Sequence, residues 1–127
     1  MKTIYLAAYM QTENHGPGKK IAVAYSKPDN FQVAGVFEPF IPKESISLEY
    51  KERQLNSQAE ASEHFVAAYT EQLQEFFDKV AEDGKPTEVL PFEDGDTLLT
   101  WERHGRRSIR PVLAEALKKA GYEVVLR

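Results

Sequence analysis

The stretch TLLTWERHGRRSIRPVLAEAL, residues 97–117, decides the fold. Thr97, Leu98, Leu99, Thr100 and Trp101 form a short β-rich run behind the turn-forming Glu93, Asp94, Gly95 and Asp96, which predicts a buried strand ending near Trp101. Helix signals follow. Pro111 suits a first helical position, because its fixed φ is already helical and its missing N–H would go unbonded there. Leu113 and Leu117, with Ala116 and Ala120, recur at helical spacing. Gly121 then supplies a stop, and Lys118 and Lys119 sit near the negative end of the helix dipole. Residues 122–126 (YEVVL) read as a further strand, so the chain closes on a strand, helix, strand unit. Such a crossover implies parallel pairing.

The same reading extends to the rest of the chain. Residues 2–10 predict a first strand with Ile4, Leu6, Ala8 and Met10 on one face and Tyr5, Ala7 and Tyr9 on the other, largely apolar on both as in a covered central strand. Residues 11–19 (QTENHGPGK) read as a plain mobile loop, with His15 and Lys19 in it. A second strand is expected at 20–26, and 31–37 either extends the sheet or packs beside it. Phe40 and Ile41, bracketed by Pro39 and Pro42, form an irregular core plug. Residues 47–55 lean to helix in their latter half. Between 57 and 82, Phe65, Val66, Tyr69, Leu73, Phe76, Phe77 and Val80 recur at three and four residues, giving a long helix with a wide apolar stripe, ended by Gly84 and Pro86. His64 lies at the edge of that stripe. The expected architecture is a single α/β domain over 1–127, with a mainly parallel sheet and helices packed on it.

Composition removes several chemistries. The chain has no cysteine, which excludes disulfides, zinc–thiolate sites and a thiol nucleophile. No apolar run approaches the ~20 residues of a membrane-spanning helix, and the first residues make a poor signal peptide, so a cytoplasmic protein with no membrane contact is expected. Neither metal nor cofactor is expected: there is no His-x-x-Glu-His spacing, EF-hand pattern or histidine cluster, and GPGKK lacks the spacing and hydroxyl of a Walker loop. Net charge is −4 and unevenly spread, with five basic and three acidic residues in 1–43, four and fourteen in 44–100, and seven and three in 101–127. An acidic chain is no duplex-binding module, yet its basic end leaves room for one or two phosphates.

The candidate site lies in that basic end. A helix N-terminus presents unbonded N–H groups and a positive dipole end. Arg103, Arg106, Arg107 and Arg110 fall within eight residues just before it, and each carries a planar fork suited to two-point recognition of phosphate. The loop also follows a strand's carboxyl end, where ligands sit in open α/β sheets. Thr100, at that strand end, completes the ligand-binding set with these arginines. The competing reading is that such arginines are solvated or weakly paired with surface carboxylates. Glu102 and His104, which point the same way from an extended strand, and Ser108 are the candidate acid–base or nucleophilic groups.

The motifs LLTWE, SIRPVLAEAL and GYEVV resemble the end of the family called domain of unknown function 488, in which a hydrophobic strand leads into Cys-aromatic-Glu and a Cys-His-Arg triplet opens a helix resembling LAE-x-L. The opening Ile-Tyr strand, the second strand running into Pro28, the proline-bearing segment at 40–42 and a helix resembling YTEQL follow in similar order. Under this resemblance Glu102 and Arg110 match the family, Thr100 and Ser108 stand where it has cysteines, and Ile109 stands where it has histidine. It implies a fold and a site location, and the loss of the cysteines and histidine tilts the expectation from catalysis to binding. A weaker similarity joins the six-residue separation of His104 and Arg110 to the cysteine and arginine of a cysteine-dependent phosphatase loop.

Three functions follow as expectations. The first is binding of a phosphate-bearing ligand, a nucleotide or a nucleic-acid end, at the strand–loop–helix 100–111. The second is an enzyme of hydrolase or transferase type using Glu102 with His104 or Ser108. The third is a protein-interaction module using the acidic helix 57–82, with a protein partner.

Overall fold

A computed structural model describes residues 2–24, 28–100 and 109–126. Strand β1 (Thr3–Ala8) opens the chain, followed by the short strands β2 (Lys20–Ala22) and β3 (Gly35–Val36). Helices α1 (Glu44–Gln54), α2 (Gln58–Asp83) and α3 (Pro86–Val89) come next, then strand β4 (Thr97–Thr100), helix α4 (Ile109–Lys119) and strand β5 (Glu123–Leu126). All pairings are parallel, in the order β3-β2-β4-β1-β5. The chain is therefore an α/β domain with β4 at the centre of its sheet. The strand, helix, strand unit at the C-terminus is present, but β5 does not pair with β4: the crossover passes over β1 and pairs β5 with its far side.

The alternation along β1 sorts its side chains as its pattern requires. Ile4 and Leu6, with Leu98 of β4, face the helices and join one core with Phe65, Tyr69, Leu73 and Phe77 of α2 and Leu113 and Leu117 of α4. Phe40 fills the middle of that core with no exposed surface, meeting Phe37 and Phe76 edge-on and Phe92 at a tilt, and Tyr69 donates its hydroxyl proton to the Phe40 carbonyl at 2.5 Å. Ala7, Tyr9, Ala22 and Leu99 line the opposite face, where Ala24, Phe31 and Val33 cover them. Among the described residues, irregular chain rather than helix covers this side, and the segment at 31–37 does both things expected of it: its first half packs on the sheet and its last residues form β3.

Helix α2 begins where Ser57 accepts a hydrogen bond from the Glu60 N–H at 3.3 Å, a side-chain cap on one of the four unbonded donors of the first turn. Gly84 ends it at φ 145°, a value that a side chain would strain. Helix α1 covers Glu44–Gln54, so the stretch at 47–55, which leaned to helix only in its latter half, is helical from before its first residue. It is braced on α2 by Glu49, which bonds Arg53 at 2.9 Å and His64 at 3.0 Å; the Arg53 hydrogen bond, then that of His64, holds the Glu49 carboxyl below the usual range.

The loop at 11–19 is pinned to the sheet at several points. Gly16 N–H donates to Thr97 Oγ1 at 2.7 Å, Gly18 N–H to the Gly95 carbonyl at 2.9 Å, and Lys19 N–H to Asp96 Oδ1 at 2.9 Å. Asp96 is 1% exposed, and its second oxygen accepts from the Glu93 N–H at 2.9 Å. A buried carboxylate serving two backbone donors offsets its desolvation through charge-assisted bonds, and so ties this loop to the turn before β4.

Candidate functional site

Two crossovers leave the sheet in opposite directions. From β1 the chain passes over the Tyr5 and Thr97 side of the sheet to reach β2, as the contacts of Gly16 with Thr97 require. From β4 it passes through α4 on the other side to reach β5. The chain leaving β1 crosses β4 and the chain leaving β4 crosses β1, on opposite faces of the sheet, so both connections start at the carboxyl ends of this adjacent pair. Ala8 pairs with Thr100 there, and the Tyr9 N–H donates to the Thr100 carbonyl at 3.0 Å.

Thr100 closes β4 with no exposed surface, on the same side as Leu98 and hence toward the helices. Its hydroxyl finds no hydrogen-bond partner among the described residues. Arg110 lies in the first turn of α4, 2% exposed. Since α4 ends just before β5 enters beside the start of β1, its eleven residues, ~16 Å at 1.5 Å each, carry its N-terminus back toward the carboxyl ends of the strands. Thr100 and Arg110 thus stand at the same end of the sheet. The helix begins at Ile109, two residues before Pro111, which the first turn tolerates because the N–H that proline lacks has no partner there. Arg103, Arg106, Arg107, Glu102, His104 and Ser108 lie outside the described residues.

Two groups join this end of the sheet that the sequence pattern did not single out as site residues. Tyr9 is fully buried, and burial pushes its phenol up to about 12. Its ring meets Phe31 edge-on at 5.2 Å, and the His15 ring lies 6.2 Å from the same Phe31. His15 Nε2 is 2.9 Å from the Ala8 carbonyl, which makes that nitrogen the protonated one, while its Nδ1 is buried without a hydrogen-bond partner among the described residues. The only sequence signal for Tyr9 was its place on the second face of β1, a pattern that reads as packing. His15 had none beyond lying in a loop.

Comparison with family models, curated proteins and solved structures returns no significant match. Among the described residues, no helix is long and apolar enough to cross a membrane.

Proposed function

We propose that the protein binds a phosphate-bearing ligand, a nucleotide or a nucleic-acid end, at the strand–loop–helix 100–111. The observation that carries this reading is the burial of Arg110 in the first turn of α4, at the carboxyl end of the central strand. Removing a guanidinium from water costs several kcal/mol, on the order of 5, unless acceptors meet it. Its five donors lie in a rigid fork that serves a protein acceptor and an anion together. The N–H groups and dipole of the helix reinforce the pull on a dianion. The Thr100 hydroxyl adds a neutral donor beneath them, and Arg103, Arg106 and Arg107 extend the positive surface toward the rest of the ligand. In this role Glu102 selects a hydroxyl or amine of the ligand.

Thermal unfolding tests this with inorganic phosphate, sulfate, mononucleotides and short single strands, on wild type and on Arg110→Lys, which keeps the charge and loses the fork. A ligand present at 100 times its Kd adds ~2.7 kcal/mol to the native state. Wild type is stabilised by a phosphate-bearing compound and Arg110→Lys at least tenfold more weakly in apparent Kd. If no compound shifts wild type at millimolar concentration, the reading fails.

A further inference from the structure

The outer surface between α2 and α4 holds a groove of about 720 Å³, lined on its α4 side from Pro111 to Ala120. Its floor is apolar: Val66, Leu73 and Phe77 come from α2, and Val112, Ala116 and Ala120 from α4. Val66 is 44% exposed, a large aliphatic side chain left in water on a helix whose other apolar residues are mostly buried. From Val66 to Ala81 the α2 wall runs ~22 Å at 1.5 Å per residue, the length of about four helical turns. The volume lies within the ~300–1,000 Å³ of ordinary ligand pockets, but the shape is a long trough between two helices.

Charge along the rim says what fills it. Glu71, Glu75, Asp78 and Glu82 follow one another at four, three and four residues, which sets them in one exposed ridge beside the groove stripe of α2. Over its whole length α2 carries seven carboxylates and one lysine. The α4 rim does not balance this ridge, because Glu115 pairs with Lys118 at 3.6 Å and leaves Lys119 as its other cation at the groove. An apolar trough four turns long with an acidic flank matches an amphipathic helix whose apolar residues recur at three and four positions and whose flanks are rich in Lys and Arg. An anionic membrane surface is repelled by the same ridge.

We propose that the α2–α4 groove is a docking site for a basic amphipathic helix of a partner protein, about fifteen residues long. The groove begins at Pro111, next to Arg110, but neither Arg110 nor Thr100 lines it, so either proposal stands without the other. It gives the acidic helix a specific contact surface: the carboxylate ridge orients the partner, and the apolar trough supplies the affinity.

The test uses a fluorescein-labelled fifteen-residue peptide of leucine and lysine with leucines at helical spacing. A peptide of the same composition in strictly alternating order and a leucine–glutamate counterpart serve as controls. Fluorescence anisotropy measures binding to wild type, Ala116→Gln, Val66→Gln and the double variant Glu75→Lys/Asp78→Lys, each checked for native circular dichroism. Val66 is exposed, so its variant keeps the test open should the half-buried Ala116 variant misfold. The helical basic peptide binds wild type with micromolar Kd, and each groove or ridge variant weakens it at least tenfold. Absence of binding to wild type, equal binding of the alternating peptide, or indifference to Val66→Gln overturns the proposal. So does a wild-type dimer in sedimentation that Val66→Gln dissolves, since a second copy then fills the groove.

Discussion

Replacing Thr100 by valine tests the reading of the site through a change of unusual sign. Most buried substitutions destabilise a protein, but here the wild-type side chain is the costly one: Thr100 has no exposed surface, and its hydroxyl has no partner among the described residues. A buried hydroxyl without a hydrogen bond costs ~1–3 kcal/mol in proteins. Valine keeps the branched shape that suits a central strand and exchanges the hydroxyl for a methyl. The backbone bond from Tyr9 N–H to the Thr100 carbonyl, at 3.0 Å, is untouched by the change. Thr100→Val is therefore expected to raise stability by ~1 kcal/mol, or about 3–5 °C in Tm for a domain of this size. In the presence of a phosphate-bearing ligand the order reverses, because the variant lacks the donor and gains less from binding. Urea unfolding followed by far-ultraviolet circular dichroism, with and without ligand, reads both effects, and the unchanged slope confirms that the denatured state is the same. A loss of 1 kcal/mol or more in the ligand-free variant would refute the reasoning, since it would show that the hydroxyl is satisfied in solution.

Two further outcomes follow from the fold. A Cβ built on Gly18 would lie 2.6 Å from Asp96 Oδ1 and 2.8 Å from backbone atoms of Gly95 and Asp96, whereas one on Gly35 meets nothing within 4 Å. Gly18→Ala is accordingly expected to lose ~2–3 kcal/mol in urea unfolding and Gly35→Ala to change it by less than ~0.5 kcal/mol; equal effects would contradict the tight docking of the loop at 11–19. Burial pushes both Tyr9 and Tyr122 up to about 12, from an ordinary value near 10. Between those values the folded state keeps protons that the unfolded chain has released, so stability is full below pH 10 and falls as pH rises toward 12, by roughly 2–3 kcal/mol for each tyrosine. Denaturation midpoints measured from pH 9 to 12 should fall, and Tyr9→Phe with Tyr122→Phe should flatten the decline; an unaltered slope in the double variant would assign it to other groups.

Elements whose cues are local were legible in the sequence. The stripe from Phe65 to Val80 marked α2, Gly84 and Gly121 marked the helix ends, and the run at 97–100 marked β4, because burial of one helical face or of both strand faces imposes a period on adjacent residues. Thr100 and Arg110 were legible as site candidates from their place between strand and helix, and both proved buried.

The amino-acid order by itself marked β1, β4, β5, α2 and α4 with their apolar faces and a parallel α/β domain, but not the start of α1 or the short α3 at Pro86, which read as a helix end. Only the tertiary structure decided that β1 lies between β4 and β5, that Phe31 and Val33 cover the second face in place of a helix, that Asp96 pins the loop at 11–19, and that α2 and α4 leave a groove between them. Those features join residues far apart in the chain, and periodicity records which side of an element is buried without recording what it is buried against.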